Sequence, residues 1–322
     1  MNSIVLDQPC TDGNFNEAEY LATNSDVAAA VKSGAISSGR EHFQIFGKKE
    51  GRRQRPSASL QELQAIKIQK IRHVLNLDQP HTRRGVKYDF LTEGLRQETA
   101  IAETEAVSSH GYDEFVEKLI ADHADGMLLD CGSGKRPIYY SNVVNYEIVD
   151  YDSTDVIGVG EALPFKSNSF DGVISIAVLE HVRDPFTCAA EISRVLKPGG
   201  KLICAVPFLQ PEHGYPNHYY NMAPQGIRAL FDRRLVIDDH KVTESILPIW
   251  TLTWFLSSWA AGLTGNARKE FEALRIGELL GADPTHLLDK SWVKELPVRK
   301  TFELASATLL FAHKPPENTL QD

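Results

Sequence analysis

The sequence predicts an α/β fold built on a mostly parallel sheet covered by helices on both faces, with helical additions around it. Three observations carry this. From residue 126 onward, short apolar runs alternate with helix or turn segments over short connections. The first run, Met127-Leu128-Leu129-Asp130-Cys131, enters a turn holding Gly132 and Gly134, where backbone without a Cβ can turn sharply and approach a ligand. Twenty positions after Asp130, a second apolar run beginning at Tyr146 ends in Asp150. A carboxylate at the tip of that strand suits ribose hydroxyls.

The totals bound the rest. At 322 residues the chain can bury a large core, and one main domain with an appendage is the expectation. Lys and Arg number 34 against 43 Asp and Glu, and the net charge of -9 argues against a nucleic-acid partner. The cysteines at 10, 131, 188 and 204 show no CxxC or other ligand spacing, so buried free thiols in a reducing compartment, and no metal site, are expected. The first residues lack the basic stretch and apolar core of a signal peptide. The uncharged run from Ser245 to Thr264 is rich in Ser, Thr and Trp and does not read as a membrane span. A soluble cytoplasmic protein is expected.

Residues 1–55 read as a small helical appendage. Asn24-Ser25-Asp26 can cap a helix through Val27 to Lys32, and a second helix from Glu41 to Phe46 stops at Gly47. Tyr20, Leu21, Val27, Val31, Phe43 and Phe46 are too few for an independent core, so the piece should lean on something. The pattern from Phe15-Asn16-Glu17 to Glu50-Gly51-Arg52 resembles a short bacterial module attached to varied enzymes and secreted proteins. That resemblance implies a packing appendage or a surface for partner contact. Residues 56–124 read as a helical lead-in that could cover the site. Ser59-x-x-Glu62 forms a capping box, and Leu60, Leu63, Ile68, Ile71 and Leu75 follow at helical spacing. Lys67, Lys70 and Arg72 mark its solvated face. Residues 80–110 are polar with a few anchors, and a further helix runs from Tyr112 to Ala121.

The alternation then begins. Asp155 to Val159 is a third strand, Phe170 to Val178 a fourth, and Lys201 to Pro207 a fifth. Between the last two, Asp184 caps a helix with Pro185 in its first turn, and Phe186, Ala189, Ile192 and Leu196 form its buried stripe. Lys197-Pro198-Gly199-Gly200 ends it.

Five stretches stand in a telling order: Leu128 to Gly134, Ala162-Leu163-Pro164-Phe165, Ser169-Phe170-Asp171, Leu179-Glu180-His181-Val182 and Arg194 to Gly200. Together they resemble the class I S-adenosylmethionine-dependent methyltransferases, nearest the branch with Leu-Pro-Phe and Lys-Pro-Gly-Gly signatures, over roughly residues 126–231. The resemblance implies a doubly wound sheet of about seven strands, closed by a terminal strand from Ser306 to His313. It implies a methyltransferase domain over residues 125–322 with a helical insertion at 248–299, and S-adenosyl-L-methionine as the cofactor. Asp130, Cys131, Gly132, Ser133 and Gly134 would hold its methionine end and Asp150 its ribose. Glu161 and the Ala162 amide would meet the adenine, and Ala177 completes the set. Three residues depart from the family pattern. Val159 replaces a frequent Asp, Arg136 stands where many members have glycine, and Pro137 follows it. The helix after the turn should therefore be short or irregular. A dinucleotide fold competes, but its third glycine would fall at Pro137.

Methyl transfer is an in-line displacement at a sulfonium carbon, so the protein's work is mainly alignment, with a general base only if the acceptor loses a proton. His181 follows the fourth strand, where it either serves the acceptor or simply holds backbone at a helix start. His213 and His218 lie in the loop Pro207 to Asn221, whose His, Tyr, Pro and Gly content suits an acceptor site better than a core. Ile249, Trp250, Trp254, Phe255 and Trp259 share one helical face, read either as packing or as the wall of an acceptor pocket. The expected activity is methyl transfer to a small-molecule or glycan-type acceptor. The alternative is a non-catalytic relative that keeps the fold as a binding scaffold.

Overall fold

The computed structural model describes residues 3–101, 111–214 and 217–306. The chain forms two compact units, Met1–Phe208 with Gly214–Asp239 and Leu209–His213 with His240–Asp322. The strands of the first unit, in chain order, begin with β1 (Ser3–Val5), β2 (Gln8–Pro9), β3 (Arg53–Gln54), β4 (Thr82–Arg84) and β5 (Lys87–Asp89). They continue with β6 (Leu128–Cys131), β7 (Ile138–Tyr140), β8 (Val143–Glu147), β9 (Val156–Ile157), β10 (Phe170–Ile176) and β11 (Leu196–Ala205).

Seven of them form one sheet in the order β11-β10-β6-β8-β9-β5-β4. Every neighbouring pair is parallel except the β4–β5 hairpin at one edge. The doubly wound, mostly parallel sheet is therefore present, but its membership differs from expectation. Two strands come from residues 82–89, inside the stretch read as polar lead-in. Three residues apiece are too short for a strand period to show, and what recruits them is burial of Tyr88 and Phe90 in the main core. The expected closing strand, Ser306 to His313, lies outside the described residues apart from Ser306 itself.

Helices cover the sheet largely where their caps predict. Asp184 accepts hydrogen bonds from the amides of Phe186 and Thr187, both at 3.0 Å, and Pro185 sits in the first turn of the helix Pro185–Val195. Its buried stripe is Cys188, Ala189, Ile192 and Val195, whereas Phe186, expected to be buried, is exposed. The long helix Ser57–Ile71 starts ahead of the expected capping box, so Ser59 lies inside it. Lys70 and Arg72 are exposed, but Lys67 is not on a solvated face. Its ammonium is buried, 2.8 Å from the Asp155 carboxylate, over the Tyr139 ring, and donates to the Val143 carbonyl. Burial pulls its pKa down to about 8, against the pull of Asp155. A partner 88 positions away is what local periodicity cannot reveal.

The N-terminal piece leans on the domain, as its small core requires. β1 pairs antiparallel with β7, and Leu6, Leu60 and Tyr139 close the joint. Its own core is Cys10, Tyr20, Val27 and Phe43, while Phe46 stays half exposed. The second helical stretch does not stop at Gly47. It continues through Lys48–Glu50 to Gly51, which takes the left-handed φ of 64°. Gly47 is instead a packing glycine, because a Cβ there would lie 2.3 Å from the Tyr20 hydroxyl.

The second unit is helical, with helices Pro248–Gly262, Gly265–Glu272 and Ile276–Gly281 before two shorter ones, Ser291–Lys294 and Val298–Leu304. Leu263, Ala267, Phe271 and Trp292 form its core. Trp259 joins them, stacked 5.4 Å from Phe271 and donating its indole N–H to the Trp292 carbonyl at 2.9 Å. Ile249, Trp250, Leu252 and Trp254 on the first helix remain exposed. No helix among the described residues is long and apolar enough to cross a membrane.

Candidate functional site

A cleft of about 1010 Å³, counted out to its open mouth, lies at the carboxyl ends of β6, β8 and β10, where ligands of open parallel sheets collect. Cys131, Gly132 and Ser133 form one wall and Tyr146, Glu147 and Ile148 another. Gly158 to Glu161 and Ile176 to Val178 continue it, and His181 and Val182 follow.

The glycine turn is what the sequence requires. Gly132 has φ of 82°, and a Cβ on it would lie 2.4 Å from the Val178 side chain. Any other residue would be strained and would also clash. Gly134, at φ 60°, donates its amide to Glu147 at 2.7 Å. No helix follows the turn; Pro137 leads directly into β7. Beside the turn, Asp130 is fully buried. Its Oδ2 accepts from Arg136 Nε at 2.7 Å and from the Tyr112 hydroxyl at 2.5 Å, while Oδ1 has no hydrogen-bond partner. Arg136 lies 4.1 Å over the Tyr112 ring. The residue that departs from the family pattern is thus built into the turn's charge balance.

The second strand ends earlier than expected. Strand β8 ends at Glu147, not at Asp150. Glu147 is buried at the cleft, and its second oxygen accepts from the Ile148 amide at 2.7 Å. Burial pushes its pKa up, opposed by those backbone donors. Asp150 does not line the cleft. It turns to the β4–β5 hairpin, 2.6 Å from Lys87 and 3.8 Å from Arg84. Sequence reasoning passed over Glu147 because all five residues of β8 are buried and the apolar run continues to Val149. The available signal was a carboxylate inside a buried strand, which must find donors.

On the loop after β9, Glu161 lines the cleft and accepts from the amides of Arg183 at 3.1 Å and Asp184 at 3.4 Å; burial raises its pKa. Ala162 follows Glu161. Its amide already donates to the Val159 carbonyl at 3.2 Å, and Ala162 does not line the cleft. Val159, Gly160 and Glu161 do, with the backbone at Gly158 pressed against Tyr146. Ala177 lines it with a left-handed φ of 55°, an unusual backbone for a residue with a Cβ.

Of the three histidines, His181 lines the cleft. Its Nδ1 donates to the Asn217 carbonyl at 2.7 Å, and Gly214 lies so close that a Cβ there would sit 2.2 Å from the ring. His218 stacks edge-on to it, centroids 5.7 Å apart. His213 belongs to the second unit, where its ring lies 5.0 Å from Trp254. Tyr215 and Pro216 of the same loop lie outside the described residues. Sequence reasoning named Glu180 only within a motif. It is fully buried, neither carboxyl oxygen has a hydrogen-bond partner, and His181 Nε2 lies 3.7 Å away. Burial raises its pKa to about 8. The cysteines are free thiols, three of them buried and Cys204 half-buried.

Residues 131–204 match the family model described as a methyltransferase domain. Residues 131–204 thus carry the sequence features of a methyltransferase domain. A demethylmenaquinone methyltransferase of Renibacterium salmoninarum is 32% identical over 143 residues, covering 44% of this chain and 54% of that protein. A ubiquinone/menaquinone biosynthesis C-methyltransferase of a Shewanella species is 35% identical over 115 residues, covering 35% and 41%. The chain thus spans about half the length of these relatives, or less. Among solved structures, an S-adenosylmethionine-dependent methyltransferase from Thermotoga maritima is 20% identical at a TM-score of 0.21, covering 29% of this chain and 57% of that one.

Proposed function

We propose that this chain transfers a methyl group from S-adenosylmethionine to a small-molecule or glycan-type acceptor at the cleft beside the glycine turn. The observation that carries the reading is the pairing of Gly132, which leaves no room for a Cβ, with Glu147, which holds the Gly134 amide from the next strand. The unpartnered Oδ1 of Asp130 fits the same ligand, since a buried acceptor without a donor is costly until one arrives. In this reading Asp130, Cys131, Gly132, Ser133 and Gly134 hold the methionine end, Glu147 rather than Asp150 takes the ribose hydroxyls, and Gly160 and Glu161 meet the base. When bound, the cofactor supplies an electrophilic methyl group on a sulfonium.

His181 serves the acceptor side. Its Nδ1–H is committed to the Asn217 carbonyl, which sets the ring's orientation at the cleft, and Nε2 lies 3.7 Å from the Glu180 carboxyl. His213 and His218 are proposed only as acceptor contacts, and the N-terminal module as a partner surface. The curated relatives are named for quinone chemistry, so a demethylated quinol belongs among the acceptors to try. The test is calorimetry with S-adenosylhomocysteine, then labelled methyl transfer into demethylmenaquinone and into small-molecule and glycan extracts. Micromolar binding, about -8 kcal/mol, with label incorporation is the expected result. Absence of any adenosyl-ligand binding overturns the reading, and binding without transfer to any fraction leaves the scaffold alternative.

A further inference from the structure

We infer that residues 3–6, at the far end of the chain, are a positioning element of the cleft. Paired with β7, they fix the segment that leaves the glycine turn and so hold the turn itself. The inference rests on the cofactor reading above only for its ligand-binding test.

The backbone hydrogen bonds lead there. On its near side the turn is held by β8. The amides of Gly132 and Ser133 donate to the Tyr146 carbonyl at 2.9 and 3.0 Å, and that of Gly134 to the Glu147 carboxylate at 2.7 Å. A helix after the turn would satisfy its own amides and carbonyls and anchor the turn's exit through them. Here a strand stands in that place, and a strand needs a partner. β7 lies outside the seven-stranded sheet, and among the described residues it pairs with β1 alone. The register is Ser3 with Tyr140, Ile4 with Tyr139 and Val5 with Ile138. The Leu6 amide extends it, donating to the Pro137 carbonyl at 2.8 Å. That contact is one residue from Arg136, which lines the cleft.

Side chains stiffen the joint. Tyr139 is fully buried, its hydroxyl donates to Asp155, and the Lys67 ammonium lies 3.5 Å over its ring. The same Asp155 carboxylate accepts from the Asn145 amide of β8 at 2.9 Å, which ties β7 to the strand that carries Glu147. Leu6 of the N-terminal segment and Leu60 of the helix Ser57–Ile71 pack with Tyr139. β7 is thus held by the core through one side chain and by β1 along its backbone. Without β1, a three-residue strand keeps a single anchor, and its polar backbone groups lose their pairing. The turn's exit would then fray, and with it the geometry of Gly132 to Gly134.

Hydrogen exchange read by mass spectrometry, and calorimetry with S-adenosylhomocysteine, both on the full chain, test this. Amides alternate in direction along a strand, so the Ile4 amide faces β7 as that of Leu6 does, while that of Val5 faces away. Ile4→Pro should speed exchange about ten-fold or more in residues 138–140 and also in residues 132–134, and should weaken S-adenosylhomocysteine by about ten-fold. Val5→Pro, at a half-exposed position of the same strand, should leave both within about two-fold. Faster exchange confined to residues 138–140, with the turn and the ligand affinity unchanged, would overturn the inference. Equal effects of the two prolines, or exchange raised evenly over the whole chain, would do the same. If Ile4→Pro does not fold, Leu6→Gly loosens β1 while keeping every amide, and the same pattern should appear there in weaker form. A wild type that binds no adenosyl ligand ends the cofactor reading. Exchange at the turn, which needs no ligand, then decides the inference by itself.

Discussion

Two buried acids each stand beside a residue that lines the cleft, Asp130 next to Cys131 and Glu180 next to His181, and they are treated in opposite ways. Asp130 has a guanidinium and a phenol on one oxygen. Glu180, equally inaccessible, has no hydrogen-bond partner on either oxygen, and burial raises its pKa to about 8. The first is a charge kept inside by an opposite charge; the second is kept inside largely by staying protonated near neutral pH. The difference teaches that the turn end surrounds its acid with donors and an opposite charge. The His181 end is organised to change its charge.

The largest expected effect comes from making the first acid resemble the second. Arg136→Ala leaves Asp130 buried without its cation and should destabilise the fold by about 3–5 kcal/mol, read as a lowered denaturation midpoint. Restoration of stability by a second change, Asp130→Asn, would confirm that the cost is uncompensated charge. A loss that persists would mean the arginine acts by packing.

Next is the other acid. Because Glu180 has a folded pKa of about 8 against an ordinary 4.5, the native state binds the extra proton between those values. Stability from this group is therefore fully present below about pH 4.5 and is lost as pH rises through 8, on the order of 5 kcal/mol in all. Glu180→Gln should remove that slope and gain stability at pH 9, measured by urea denaturation across pH. An unchanged slope would show that Glu180 is not the group responsible.

Smaller effects sharpen the assignment of the turn end. Glu147→Gln should weaken S-adenosylhomocysteine binding by roughly ten- to a hundred-fold, the weight of about 1.5–3 kcal/mol of charge-assisted hydrogen bonding. Asp150→Ala should change it less than about two-fold, because Asp150 faces Lys87 and Arg84 on the hairpin. Calorimetry on the two variants side by side decides between the acids, and a reversed ranking would restore Asp150.

The acid of the second strand shows where sequence reading stops. The spacing between Asp130 and the second strand was legible, and so was the need for a carboxylate at that strand's tip. The tip itself was not, because Glu147 sits in an apolar run that extends past the strand to Val149. The amide of Ala162 was illegible for a related reason. Its motif is present, but the turn Gly160–Ala162 folds its amide back on Val159. Lys67 failed through partnership, since a lysine at a polar helix position is ordinarily solvated and only Asp155 makes its burial tolerable.

By itself the sequence determined the alternation that makes a parallel sheet, the glycine turn, and the capped helix Pro185–Val195. Those are local: backbone dihedral preferences, hydrogen-bonding caps and apolar periods are written within a few residues of where they act. Tertiary structure alone decided that residues 82–89 extend the sheet and that Arg136 balances Asp130. It also decided that Glu147 rather than Asp150 faces the cleft, that Glu180 is buried without a partner, and that His213 belongs to the second unit while His181 lines the cleft. Each of these depends on which distant groups meet and which are removed from water. A buried charge takes its state from neighbours far away in sequence, so no window along the chain contains the answer.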